Sequence, residues 1–140
     1  MKSQEFEATR ENLKHIRNFV EQNLINFKIN PKTVSELKLV VGESIANIVK
    51  YGYKESDPKN KIFVEVDFKD NELEIHIYDN GIKVTKDMVK HRDIDDVRPG
   101  QIGSYFIKNI MDYFDWSEKK CSWTNHLILK KKITNFNEKI

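Results

Sequence analysis

The sequence predicts an α+β two-layer sandwich, a mixed, largely antiparallel sheet covered on one face by helices. Three observations carry that expectation. Apolar residues recur at helical spacing in two runs near the start of the chain. Strict alternation takes over from Lys61, on both sides of a tight turn at Asp70-Asn71. After Pro99 come one more helical run and two further strand-like segments.

In chain order, residues from about 3 to 8 fit a short edge strand. From Thr9, a candidate N-cap, Leu13, Ile16, Val20, Leu24 and Phe27 repeat at helical spacing. Asn30-Pro31 ends that helix and starts the next, because Asn caps well and Pro suits a first turn. The second helix runs to about Tyr51-Gly52, with Leu37, Val41, Ile45 and Ile48 as its buried stripe. Gly42 inside it costs roughly 1 kcal/mol against alanine, and close packing against the sheet is the expected reason. A polar loop over 54–60 leads to Ile62, Val64, Val66 and Phe68, which alternate with Lys61, Glu65 and Asp67. Beyond Asp70-Asn71, Leu73, Ile75 and Ile77 alternate with Glu72, Glu74 and His76, completing an antiparallel hairpin. Residues 81–99 lack regular periodicity, and so long a loop in a compact domain is functional or disordered. Gly103 opens a third helix with Phe106, Ile107, Ile110, Met111 and Phe114 inward. Strands over about 113–118 and 124–133 follow, and a tail over about 134–140 is expected to fray.

A length of 140 residues implies a single domain over 1–140 with room for a real core. Apolar content of 39% beside 33% charged residues is that of a soluble globular chain. A formal charge of +2 supplies no basic field for direct nucleic-acid binding. Cys121 is the single cysteine, which excludes an intrachain disulfide. No apolar run reaches membrane-spanning length and none resembles a signal peptide, so the expectation is no membrane and a cytoplasmic location. The four histidines are scattered, with none at metal-ligand spacing.

The second helix has a polar face beside its apolar stripe. Glu43 and Asn47 lie four apart and Lys50 three further on, so the three point roughly one way. They form either a surface network or the wall of a polar pocket. Asp79 continues the inward parity of Leu73, Ile75 and Ile77, which aims a carboxylate at the helical layer. Buried there, it must find donors or hold its proton; it either bonds the amides of its own Asn80-Gly81 turn or accepts from a ligand. The glycines before the third helix, Gly100 and Gly103, precede free backbone amides that suit an anion.

Taken together, these residues resemble the Bergerat-type ATP site of gyrase, histidine kinases and MutL. Within that group the chain is most similar to the RsbW/SpoIIAB-like anti-sigma-factor serine kinases. Glu43-x-x-x-Asn47-x-x-Lys50-Tyr51 resembles the family's N-box, Asp79-Asn80-Gly81 its first glycine box, and Gly100-Gln101-Ile102-Gly103 its second. The similarity spans about 6–133, and the order and spacing of the boxes carry it. The resemblance implies the Bergerat fold, ATP and Mg2+ as cofactors, Glu43 as catalytic base and Asn47 as the magnesium ligand. It implies Lys50, Arg98 and the 100–103 segment near the phosphates, Tyr51 among the nucleotide-binding residues, Asp79 and Gly81 at adenine, and Thr124 supporting the adenine site. Lys90 and Arg92 are further cations of the expected lid. Two positions depart from the pattern: Lys83 replaces the second glycine of Asp-x-Gly-x-Gly, and Gln101 replaces another.

The function implied is an ATP-dependent protein serine/threonine kinase that phosphorylates a STAS-domain antagonist and, in alternation, sequesters a sigma factor or another target. A homodimer through the sheet edge and first helix, over 6–27, is implied as well. Lys83 and Gln101 motivate the alternative, a non-catalytic nucleotide-binding module that switches partners by docking. The catalytic domain of a two-component histidine kinase ranks third, because the chain lacks a helical hairpin with an acceptor histidine.

Overall fold

The computed structural model describes residues 2–53, 57–84 and 107–134. Strand β1 (Lys2–Glu7) leads through a 3-10 turn at Arg10–Asn12 into helix α1 (Leu13–Asn26), and then α2 (Pro31–Tyr51). Strands β2 (Lys61–Lys69), β3 (Glu72–Asp79), β4 (Tyr113–Trp116) and β5 (Asn125–Lys132) follow. They form one sheet in the order β1-β2-β3-β5-β4. All four pairings are antiparallel, so the mixed character expected of the sheet is not found among the described residues.

Local chemistry explains the boundaries. The Asn30 side chain accepts from the Lys32 amide at 2.9 Å and Pro31 occupies the first turn of α2, as expected. Thr9 stands before the 3-10 turn with extended backbone but makes no side-chain cap, which corrects the expected role. Helix α1 ends in a Schellman motif: the Ile29 amide reaches the Leu24 carbonyl at 3.2 Å and the Lys28 amide that of Ile25 at 2.9 Å. Lys28 takes the left-handed conformation there, φ 60°, where glycine is usual. Asp70 and Asn71, at φ 54° and 62°, form the two-residue turn whose twist suits the β2–β3 hairpin.

The core lies between the sheet and the two helices. Ile62, Val64, Val66, Leu73, Ile75, Ile77, Leu127 and Leu129 meet Ile16, Val20 and Leu24 of α1 and Leu37, Val41, Ile45 and Ile48 of α2. A Cβ at Gly42 would lie 3.1 Å from Cδ of Arg17, so this glycine accommodates α1 and not the sheet. An ion pair between Lys38 and Glu21 also joins the helices. Residues 107–110 are helical, with Ile107 and Met111 buried, but Phe114 belongs to β4 and not to the helical stripe expected of it. Phe6 packs edge-on against Phe19, and the Phe27 ring lies tilted against Phe68. Phe6 and Phe27, the ends of the expected dimer surface, therefore pack against rings of their own chain.

Candidate functional site

The site is built at the seam where the C-terminal end of α2 meets the ends of β3 and β5. Glu43 and Asn47 are half-buried on one face of α2, and Lys50 is exposed one turn on. Neither Glu43 nor Asn47 uses its side chain in a hydrogen bond or ion pair among the described residues. The Lys50 ammonium lies over the exposed Tyr51 ring, 5.1 Å from its centroid. Among the described residues, this carboxylate and amide stand at the helix surface without a structural partner.

Asp79 ends β3 only 1% exposed. Its Oδ1 accepts from the Gly81 amide at 2.9 Å and from Nδ2 of Asn125 at 2.9 Å, while Oδ2 has no partner among the described residues. Both sequence readings are thus compatible: one oxygen serves the turn, and the other is a buried acceptor left open. Burial pushes the carboxyl above its ordinary range, opposed by the bonds from Asn125 and Gly81 and then by the charge of Lys83. A neutral or cationic N–H donor fits that oxygen, and a second anion does not.

Glycines bring the two elements together. A Cβ at Gly81 would stand 2.4 Å from the Gly52 carbonyl oxygen. Removing it lets the Ile82 amide donate to that same oxygen at 2.7 Å. The Asp79 turn is therefore fastened to the residue that caps α2. Asn47 lies five residues earlier, about 7.5 Å along the helix axis. Asp79, Gly81, Lys50 and Tyr51 are thus brought to the same end of α2, with Asn47 and Glu43 one and two turns back.

Sequence reasoning misses Asn125. It is 3% exposed, faces Asp79 directly in the β3–β5 register, and donates also to the Ile82 carbonyl at 2.8 Å. Its Oδ1 accepts from the Val84 amide at 2.8 Å, so one side chain sets the Asp79 carboxylate and the path of 82–84. The signal in the sequence is its parity with Leu127 and Leu129. Thr124, beside it, contributes its carbonyl, which accepts from the Lys83 ammonium at 3.0 Å. Lys83, in the place of a family glycine, thus ties the loop to the start of β5. Arg98, Gly100, Gln101, Ile102 and Gly103 lie outside the described residues, as do Lys90 and Arg92.

The sheet face away from the helices carries a second cluster. Nδ1 of His76 and Nε2 of His126 are 2.7 Å apart, Glu74 is 3.2 Å from the other nitrogen of His76, and Tyr78 stacks on His126. These histidines meet because β3 and β5 are neighbours, which spacing alone does not reveal. Burial lowers the His126 pKa, and the charge of His76 lowers it further, against the pull of Glu65. No group of three or more metal-ligating side chains exists among the described residues. No helix among them is long and apolar enough to cross a membrane.

A sheet under two helices, with a buried Asp-x-Gly turn locked to the end of the helix bearing Glu43 and Asn47, is the arrangement expected of a Bergerat-type ATPase domain. The chain belongs to the histidine kinase-like ATPase domain family, whose model matches residues 6–131. It is 29% identical over 93 residues to a protein named anti-sigma F factor from Shouchella clausii, covering 66% of this chain and 58% of that one. It is 27% identical over 118 residues to the serine-protein kinase RsbW of Staphylococcus aureus, covering 76% and 74%. The chain thus spans a little over half of the first relative's length. Among solved structures, the RsbU and RsbW domains of Rv1364c from Mycobacterium tuberculosis align at TM-score 0.62 and 11% identity, over 95% of this chain and 33% of that one. The catalytic domain of the histidine kinase ThkA aligns at 0.53 and 12%, over 95% and 98%. These two show the shared fold.

Proposed function

We propose that the protein is an ATP-dependent serine/threonine kinase of the anti-sigma type. In this reading Asp79 Oδ2 accepts from the adenine amino group and Gly81 lets the base approach. Asn47 gives its side-chain oxygen to Mg2+, which takes one or two protein ligands and phosphate oxygens. Lys50 and the 100–103 segment supply charge and amides to the phosphates, with Arg98 and Tyr51 alongside. Glu43 orients and deprotonates the acceptor hydroxyl of a STAS-domain antagonist. The unphosphorylated antagonist and a sigma factor, or another regulated protein, compete for a homodimer of this chain.

The observation that carries the reading is the buried, unpartnered Oδ2 of Asp79 at the same end of α2 as the unpartnered side chains of Glu43 and Asn47, among the described residues. Of the relatives' names, anti-sigma F factor supports the anti-sigma role and serine-protein kinase RsbW the kinase class. The test is transfer from radiolabelled ATP to STAS-domain proteins encoded nearby. Glu43→Ala should keep ATP binding and lose transfer about 100-fold or more; near-normal transfer would remove Glu43 from catalysis. Lys83, bonded to Thr124 where the family pattern has glycine, favours one second reading, a nucleotide-binding switch without transfer. Tight ATP binding with no labelled product would select it.

A further inference from the structure

Tyr53 has no role in the assignments above, yet its hydroxyl is a junction of three segments. It stands within 2.8 Å of the Lys61 carbonyl and 2.8 Å of Asn80 Oδ1, either of which takes its proton, and accepts from the Asn80 amide at 3.2 Å. The Asn80 side chain continues the junction, accepting from the Lys61 amide at 2.9 Å and donating to the Lys59 carbonyl at 2.8 Å. Burial raises the Tyr53 pKa, and the neighbouring charge of Asp79 raises it further, so the group remains a neutral donor at physiological pH. Asn80 is the variable position of the Asp-x-Gly pattern, and here it is the residue that ties this turn to the end of α2 and to β2.

Two joints therefore fasten the Asp79 turn to α2. The first is the backbone bond from Ile82 to Gly52, which brings the turn close. One hydrogen bond leaves rotation about itself, and a second, displaced bond removes it. We propose that Tyr53 is a positioning residue: its bond with Asn80 fixes the distance between the base anchor at Asp79 and the polar face of Glu43, Asn47 and Lys50. This rests on the ATP reading. A nucleotide gripped at both ends gains because its second contact is intramolecular, and slack in the spacing forfeits that gain while sparing each end's own contacts.

The test compares MgATP with adenosine, which engages the base anchor alone, by titration of the full chain. Tyr53→Phe removes the hydroxyl and keeps the ring. It should weaken MgATP about 10-fold and leave adenosine unchanged. Asn125→Ala, which loosens Asp79 itself, should weaken both ligands. An equal loss of MgATP and adenosine in Tyr53→Phe would overturn the proposal, as would unchanged MgATP affinity. If Tyr53→Phe does not fold, Asn80→Ala, which removes the Oδ1 acceptor and leaves the hydroxyl only the 3.2 Å bond from the residue 80 amide, loosens the same joint and must give the same split; any other pattern overturns the proposal. Failure of the unsubstituted protein to bind either ligand would strike the ATP reading itself, and is recognised without any variant.

Discussion

Replacing Asp79 with asparagine separates the cost of this carboxylate to the fold from its value to a ligand. The carboxyl is 1% exposed and burial raises its pKa above the ordinary 3.8. The folded state then holds the proton more tightly than the unfolded chain does. Stability contributed by the group is full below pH 3.8 and is lost as the pH rises through the folded-state value. Once ionised, the group weakens the fold. The substituted side chain would keep an Oδ1 for Gly81 and Asn125 and would remove the charge. A buried polar atom without a partner costs roughly 1–3 kcal/mol, but the new Nδ2 is left equally alone, so the gain comes from the charge. We expect Asp79→Asn to raise the Tm of the nucleotide-free protein. ATP should suffer the opposite fate. A hydrogen bond to a charged group is worth roughly 1.5–3 kcal/mol, so its loss raises Kd about 10- to 150-fold. Thermal unfolding of the nucleotide-free protein and titration with MgATP read the two effects. A lower Tm together with unchanged ATP affinity would refute the reasoning.

Gly81→Ala places a methyl 2.4 Å from the Gly52 carbonyl and must part the turn from α2; denaturant unfolding should show a loss of about 1–3 kcal/mol, and ATP affinity should fall with it. Lys28→Gly relieves a left-handed lysine at the end of α1 and should stabilise the protein by about 1 kcal/mol in the same assay. His126 has a lowered pKa, so the unfolded chain takes up its proton more readily than the folded one. Stability should decline as the pH falls below about 6.5 until the folded-state value is passed. His126→Gln should flatten that part of the profile, and an unaltered slope would acquit the histidine.

Much of this is legible in the sequence because it is written locally. Asn30, Pro31 and Gly52 bracket α2, and Asp70-Asn71 between alternating runs dictates a two-residue hairpin. Asp79 is readable because strand parity needs only its own neighbours. What escapes depends on which strands adjoin. Asn125 meets Asp79 across 46 positions, and His76 meets His126 across 50, through a β3–β5 pairing that no local pattern announces. The packing partner of Gly42 is hidden for the same reason, since Arg17 sits on another helix. Phe114 fails differently: it lies four from Ile110 and two from Trp116, so it satisfies the helical and the strand period at once.

Strand β1 is paired with one that the ribosome makes much later. Lys2 lies opposite Val66, so β1 has nothing to dock on until both helices and most of β2 have been synthesised. Sheet closure from that side is a long-range event, slow by the measure of contact order, and a nascent chain stalled before residue 61 presents an orphaned edge to other polypeptides.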